Sequence, residues 1–204
     1  MIELSAIAEV ASARRMLGDA VRQLPFVTAV ALTSVAKLAQ VAEQRALPSV
    51  FDRPTPFTER AIAVRPATKS VPSAAVYVMP KQAAYLQLEE TGGTRQPAKR
   101  AIVMPAAART NAYGNLPRNA LQRMKGRKDV FVGQVGGIGG VWQRPLKAKG
   151  RQGGKVAPKL LIGFEDETKY QPRFGFKPRA VQVIRASLGP AFREALGKAI
   201  RTSR

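Results

Sequence analysis

Apolar residues recur along the first quarter of the chain at spacings of three and four. Leu4, Ile7, Ala11, Leu17, Val21 and Leu24 form one such row, which predicts a helix over residues 5–24. Pro25 follows. It lacks a donor and clashes with the preceding turn, so a kink or a fresh helix start is expected there. Residues 26–46 carry a stronger row: Val27, Ala31, Ser34, Leu38, Val41 and Arg45, with Val30 and Val35 beside it. Small side chains permit close helix approach, so this helix is expected to pack against its own sheet or a neighbouring copy. Pro48 is expected to end it.

After a Pro-rich connector at 51–60, the pattern shifts to strands. Residues 61–65 and 74–79 read as a hairpin with a longish loop. Residues 81–90 read as a short helix with Ala84, Tyr85 and Leu88 on one face, broken by Gly92-Gly93. Residues 101–104 are strand-like. Pro117 suits a first helical position, Leu121 and Met124 an apolar face, and Gly126 the residue just past the end. A strand over 129–135, a glycine-rich turn at 136–140 and Val141-Trp142 suggest a second hairpin. Residues 146–157 have almost no apolar content and read as an exposed loop. A last strand covers 159–164, with Leu160, Ile162 and Phe164 on one face. A C-terminal helix starts at Lys177 or Pro178 and runs to about Ile200, with Ala180, Val183, Ile184, Leu188, Ala191, Ala195 and Ile200 as its buried candidates. Gly189-Pro190 is expected to kink it. The sum is an α+β fold, with N-terminal helices and a C-terminal helix packed on a small antiparallel sheet and a basic extended loop. The organisation expected is one domain over 1–204: a helical arm at 1–48, the sheet with insertions at 49–170, and the C-terminal helix at 171–204.

Charge changes the picture. The 204 residues hold 34 Lys and Arg against 13 Asp and Glu, a formal net charge of +21. Residues 1–60 have 7 basic and 6 acidic groups, and 61–90 have 3 and 2. Residues 91–164 have 15 and 1, the one acid being Asp129, and 165–204 have 9 and 4. So dense a basic middle points to a polyanionic neighbour, nucleic acid above all. The candidates are the cluster Lys125, Arg127 and Lys128 and the loop residues Lys147, Lys149, Arg151 and Lys155. With no helix-turn-helix, zinc finger or RNP pattern, the expected contact is with backbone phosphates or acidic protein surfaces, not bases.

The chain has no Cys and no His. That removes Cys and His nucleophiles, a His general base, the Ser-His-Asp triad and soft metal sites. A carboxylate-and-Mg²⁺ nuclease would need converging acids, which the basic middle does not offer. No catalytic residue, metal or cofactor is expected. The glycine run at 133–140 is not a phosphate loop: Gly154-Lys155 is followed by Val156, and no helix follows the strand directly. Glu165, Asp166 and Glu167 read as a solvated turn or salt-bridge face, with pairing to a neighbouring copy as the functional option. Trp142, Tyr85, Tyr113 and Phe131 fit core packing better than base stacking. The N-terminus lacks the basic start of a signal peptide, and the apolar stretch Phe26 to Leu38 is too short and polar to span a bilayer.

An ordered series of strings adds to this reading: RPTPFTERAIAVRPATK at 53–69, AAVYVMPKQAAYL at 74–86, GGTRQPAKRAIVMP at 92–105, NAYGNLPRN at 111–119, VFVG at 130–133, GVWQR at 140–144, LLIGFED at 160–166 and FGFKPRA at 174–180. The series resembles the minor tail protein Z family, the tail completion proteins of lambda-like tailed phages, over roughly residues 10–200. The resemblance implies a structural virion protein and not an enzyme, acting at the head-proximal end of the tail. It implies a homo-oligomeric ring of six copies around non-specifically bound double-stranded DNA, adjoining neck and tail proteins, no membrane, and assembly in the bacterial cytoplasm. A 204-residue subunit would be about 40 Å thick, a length of duplex carrying roughly 25 charges. Six copies at +21 far exceed that, so acidic surfaces on neighbouring proteins are expected as well. The alternative is a ribosomal or other basic RNA-binding protein.

Overall fold

A computed structural model of the protein describes residues 2–145 and 157–202, with side chains from residue 21 onward. The fold is α+β, with helices at both ends of the chain and antiparallel strands between them. The chain forms two compact units. The first comprises residues 1–51, 56–86 and 174–204, and the second residues 52–55 and 87–173.

In the first unit, helix α1 runs without interruption over Ile2–Val50 and contains Pro25 and Pro48. No fresh helix starts at Pro25, and the helix outlasts Pro48 by two residues. A proline removes one backbone bond, but the helix continues because the turns on either side keep theirs. The apolar segment therefore does not stop at Leu38, as the residue pattern suggested: Val21–Val50 is long and apolar enough to cross a membrane by length and composition, and about a third of it is buried.

The face that α1 buries also differs from the predicted row. Val27, Ala31, Val35, Ala39, Glu43 and Leu47 are buried at a repeat of four, and Ala29 and Ala36 are buried beside them. Leu38 and Val41 from the predicted row are exposed. At about 3.6 residues per turn these positions spread over about 200° of the helix circumference. The buried face is therefore broad, and its two ends meet different partners. Near the start, Val27 and Ala31 pack on Ala195 and Ala199 of helix α5, Phe176–Thr202. Near the end, Leu47 joins Ala61, Ile62, Leu86 and Phe174. This second cluster is extended by Phe51 and Phe176, whose rings lie 5.6 and 5.7 Å from Phe174.

Between these clusters lies an ion pair. The Glu43 side chain is 0% exposed, and Arg179 of α5 donates Nε and Nη2 to its Oε2 at 3.1 and 3.0 Å. The same Nη2 donates to the Phe174 carbonyl at 2.8 Å. α1 and α5 are therefore antiparallel, pinned by small residues at one end and by charge at the other. Of the buried candidates on α5, Ala180 and Ala195 are buried and Val183, Ile184 and Ala191 half-buried. Leu188 and Ile200 are exposed, and Ala199 takes the deep position instead. The helix continues through Pro190.

The first unit is completed by the short helix α2, Pro56–Glu59, and the hairpin of β1, Ile62–Arg65, and β2, Ala75–Val78, in antiparallel register Ile62↔Val78. Gln40 of α1 donates to the Ile62 carbonyl at 2.9 Å, and Thr33 accepts from the Ala67 amide at 3.0 Å. Helix α3, Pro80–Thr91, begins in this unit. Its buried Gln82 donates to the Phe57 carbonyl at 3.1 Å, and Tyr85 shares a 2.9 Å hydrogen bond with Thr58.

In the second unit a four-stranded antiparallel sheet has the order β4, Ile102–Pro105; β7, Lys159–Glu165; β6, Ile138–Gln143; β5, Val130–Val135. β3, Gly93–Arg95, and β8, Thr168–Tyr170, form a separate pair. The core holds Val130, Val141, Leu161 and Ile162, covered by Leu121 and Met124 of helix α4, Ala120–Lys125. The β5–β6 turn is only Gly136-Gly137, with φ of +58° and +82°, the left-handed backbone that two-residue hairpins favour. The rest of the predicted glycine-rich turn, residues 138–140, belongs to β6. Gly140 is there for packing, since a Cβ at that position would collide with the Ile162 carbonyl oxygen.

Just past Gly140, between Val141 and Trp142, the β6–β7 register shifts. Val141 faces Ile162 and Trp142 faces Leu160, so Leu161 is the extra residue of a bulge. Its carbonyl accepts the amides of Ala106, Ala107 and Ala108 at 3.0, 3.2 and 3.0 Å. α4 starts three residues after Pro117, because Pro117 to Ala120 closes a turn first. Gly126 ends α4 with φ −77°, so no left-handed glycine cap is used.

Removing Arg179 should be the most damaging single change in the first unit. Arg179→Met leaves a buried carboxylate without its guanidinium and should cost about 3–5 kcal/mol in urea unfolding. Adding Glu43→Leu should recover most of that loss. An Arg179→Met variant as stable as the parent would show that the pair does not hold the helices together.

Candidate polyanion-facing surface

The best-defined cationic surface lies where α4 turns into β5. Lys125 is the last residue of α4, and Arg127 and Lys128 form the turn after it. All three are exposed. The β5–β6 register, Val130↔Gln143, returns the chain to this point. Arg144 then donates its amide to the Asp129 carbonyl at 2.7 Å and Nη1 to the Lys128 carbonyl at 2.6 Å. Its guanidinium also lies 5.3 Å from the centre of the Phe131 ring. Arg123 of α4 donates to the Arg118 carbonyl at 2.6 Å.

Asp129, the one acid of residues 91–164, sits among these cations. Arg127 donates Nε and Nη2 to its two carboxylate oxygens at 3.0 and 2.5 Å, and Gln143 donates at 2.9 Å. The hydrogen bonds from Arg127 and then Gln143 lower the Asp129 pKa to about 2, and the same contact raises that of Arg127. Arg127 is therefore partly neutralised within the chain. Lys125 and Lys128 have no ion pair among the described residues. Of the three clustered candidates, these two are left to meet an outside anion.

Sequence reasoning missed Arg144. Its signal was the hairpin: pairing 129–135 with 141–142 brings the next residues back beside Lys128. Lys147, Lys149, Arg151 and Lys155 lie outside the described residues.

Glu165 closes β7 opposite Ile102, and Asp166 and Glu167 form the bend to β8. All three are exposed, and Glu167 lies 3.8 Å from Lys169 in the same chain. Among the described residues no group of three or more Asp or Glu could hold a metal ion. Glu89 takes a different role. It is buried against Arg173, which donates to both its oxygens at 2.5 and 3.1 Å while their backbones bond at 2.8 Å.

The aromatic candidates separate. Trp142 is buried and Tyr85 is half-buried with its hydroxyl engaged. Phe131 is half-buried opposite Trp142, and Tyr113 is exposed on a loop held by the Asn111 side chain. No base-stacking platform is assembled from these four.

The charge is shared between the units. The first holds 16 basic and 6 acidic residues and the second 18 and 7, for net charges of +10 and +11. No family model, curated protein or solved structure matches the chain.

The Asp129 carboxylate gives a pH-dependent test. Its folded pKa lies below the ordinary value of 3.8, so its stabilising effect is present above about pH 4 and lost as pH falls towards 2. Asp129→Asn should lower the thermal midpoint at pH 7, and its difference from the parent should vanish near pH 2. A difference that is constant across that range would show that the ion pair is not the cause.

Proposed function

We propose that the protein is a structural virion component of a tailed phage, acting at the head-proximal end of the tail to complete it and help join head to tail. The observation that carries this reading is the cationic surface at the α4–β5 turn. Its carboxylate, Asp129, is engaged by Arg127 and Gln143, which leaves Lys125 and Lys128 facing outward. Such a surface holds polyanions by backbone charge without reading sequence.

The ordered strings that resemble the tail completion family supply the place: a ring of copies around the DNA channel, between neck and tail proteins. The absence of Cys and His suits a protein that performs no nucleophilic or soft-metal chemistry. The charge exceeds what the enclosed duplex can balance, so acidic faces of adjoining proteins are the second partner.

Deleting the gene should yield unjoined heads and tails, or joined particles that fail to deliver DNA, in electron micrographs of the lysate. Normal, fully infectious particles would overturn the reading and favour an RNA-binding protein, detectable by co-sedimentation with ribosomes in cells without phage induction. Reversing Lys125 and Lys128 to Glu, or Lys147, Lys149 and Arg151 to Glu, should reduce infectious yield at unchanged protein level. Unchanged yield from both sets would remove the cations from the mechanism.

A further inference from the structure

The face of α1 that the fold does not bury carries an apolar row of its own. Phe26, Val30, Leu38 and Val41 are 48%, 40%, 49% and 41% exposed, and they fall within about 120° of the helix circumference. Beside Phe26 and Val30 runs a groove of about 520 Å³, closed on its other wall by Pro66, Ala67 and Thr68 and carrying Lys37 and Lys69. The Lys69 ammonium lies 5.2 Å from the centre of the Phe26 ring. Exposed large side chains gathered on one side of a helix mark a surface that is covered in use.

Two further observations say what covers it. The first is length. α1 has 49 residues and α5 has 27, about 73 Å against about 40 Å. Because Ala199 packs near Val27 and α5 ends three residues later at Thr202, α5 runs out near residue 23 of α1. The helix axis of α1 continues for about 30 Å beyond that point.

The second is charge. Residues 2–20 contain Glu3, Glu9 and Asp19 against Arg14 and Arg15, a net −1 in a chain of +21. Their sequence carries an apolar row at helical spacing: Leu4, Ile7, Ala11 and Leu17. Two copies of so basic a chain repel over most of their surfaces. The N-terminal part of α1 and the groove beside Lys37 and Lys69 are oppositely charged and both apolar.

We propose that the N-terminal part of α1 from one copy docks in the groove lined by Phe26, Val30, Lys37 and Lys69 of the next copy. The contact joins two different surfaces, so it propagates head to tail and closes into a ring when the rotation permits. It deepens the tail-completion reading by naming the contact between copies, and its ring-forming role rests on that reading.

The test is sedimentation of the purified full-length chain. The parent should be oligomeric. Val30→Glu should sediment as a monomer with unchanged helical circular dichroism and thermal midpoint. Lys37→Glu with Lys69→Glu should weaken self-association about tenfold or more, and adding Glu3→Lys and Glu9→Lys in the same chain should restore it. A fold that was merely damaged would not be rescued by changes in a distant segment.

A parent that stays monomeric, a Val30→Glu variant that stays oligomeric, or a charge swap that fails to restore would each overturn the proposal. So would a monomeric parent that binds vesicles of anionic phospholipid through α1, since a bilayer would then be the occupant. The gene deletion separates this proposal from the functional reading. A monomeric parent with unjoined heads and tails in the deletion lysate removes only the docking contact. An oligomer that obeys the charge swap, with normal particles in the deletion lysate, keeps the contact and removes the phage reading.

Discussion

The buried carboxylate of Glu43 constrains the first unit more than any other group. A charge enclosed by protein is tolerable only when an opposite charge reaches it with good hydrogen-bond geometry. Arg179 does so from the first turns of α5, and the same guanidinium holds the Phe174 carbonyl. One side chain thus sets where α5 begins relative to α1 and fixes the segment that carries Phe174 into the aromatic cluster. The small residues at the other end, Ala31, Ala195 and Ala199, then set how closely the helices lie. Charge supplies the register and small side chains supply the distance.

The second unit solves a different problem with backbone geometry. Its sheet needs a close crossing at Gly140 and an extra residue at Leu161, and the two occur side by side. The bulge turns the Leu161 carbonyl towards three successive amides, which ties the chain after β4 to β7. The β5–β6 hairpin then carries Arg144 back to Lys128. The cationic surface is therefore a product of strand register, not of local sequence density alone.

Much of the architecture was legible in the chain. Both hairpins, the short helix α3, strand β7 and the C-terminal helix follow from period and punctuation, because each is bounded by turn residues; β3 and β8, three residues each, are too short to show a period, and the strand expected to be last is followed by β8. The burial of α1 was not. Rows at spacing 3.5 and at spacing four coincide at Val27 and Ala31 and diverge afterwards, and apolar side chains occupy both. The choice was made by Glu43 and Leu47, whose partners lie more than a hundred residues away in one case and on β1 and α3 in the other. Proline misled for another reason: the helical turns on either side of Pro25 keep their own hydrogen bonds, and the helix absorbs the one that is lost. At the cationic surface, Lys125, Arg127 and Lys128 were visible as a cluster. The pairing of Arg127 with Asp129 was open to inspection at a separation of two, whereas Gln143 and Arg144 needed the hairpin register.

The breadth of the buried face on α1 has a mechanical meaning. With Ala29 and Ala36, the buried residues from Val27 to Leu47 spread over about 200° of the circumference, so the helix is clasped and not merely rested on a stripe. A helix on a narrow stripe can roll or slide; a clasped one can do neither freely. Rotation is opposed at one end by the Glu43–Arg179 pair and at the other by close-packed alanines. Pulling or pushing on the N-terminal end of α1 would therefore load α5 and the β1–β2 hairpin together, and the first unit would carry axial force as one stiff body.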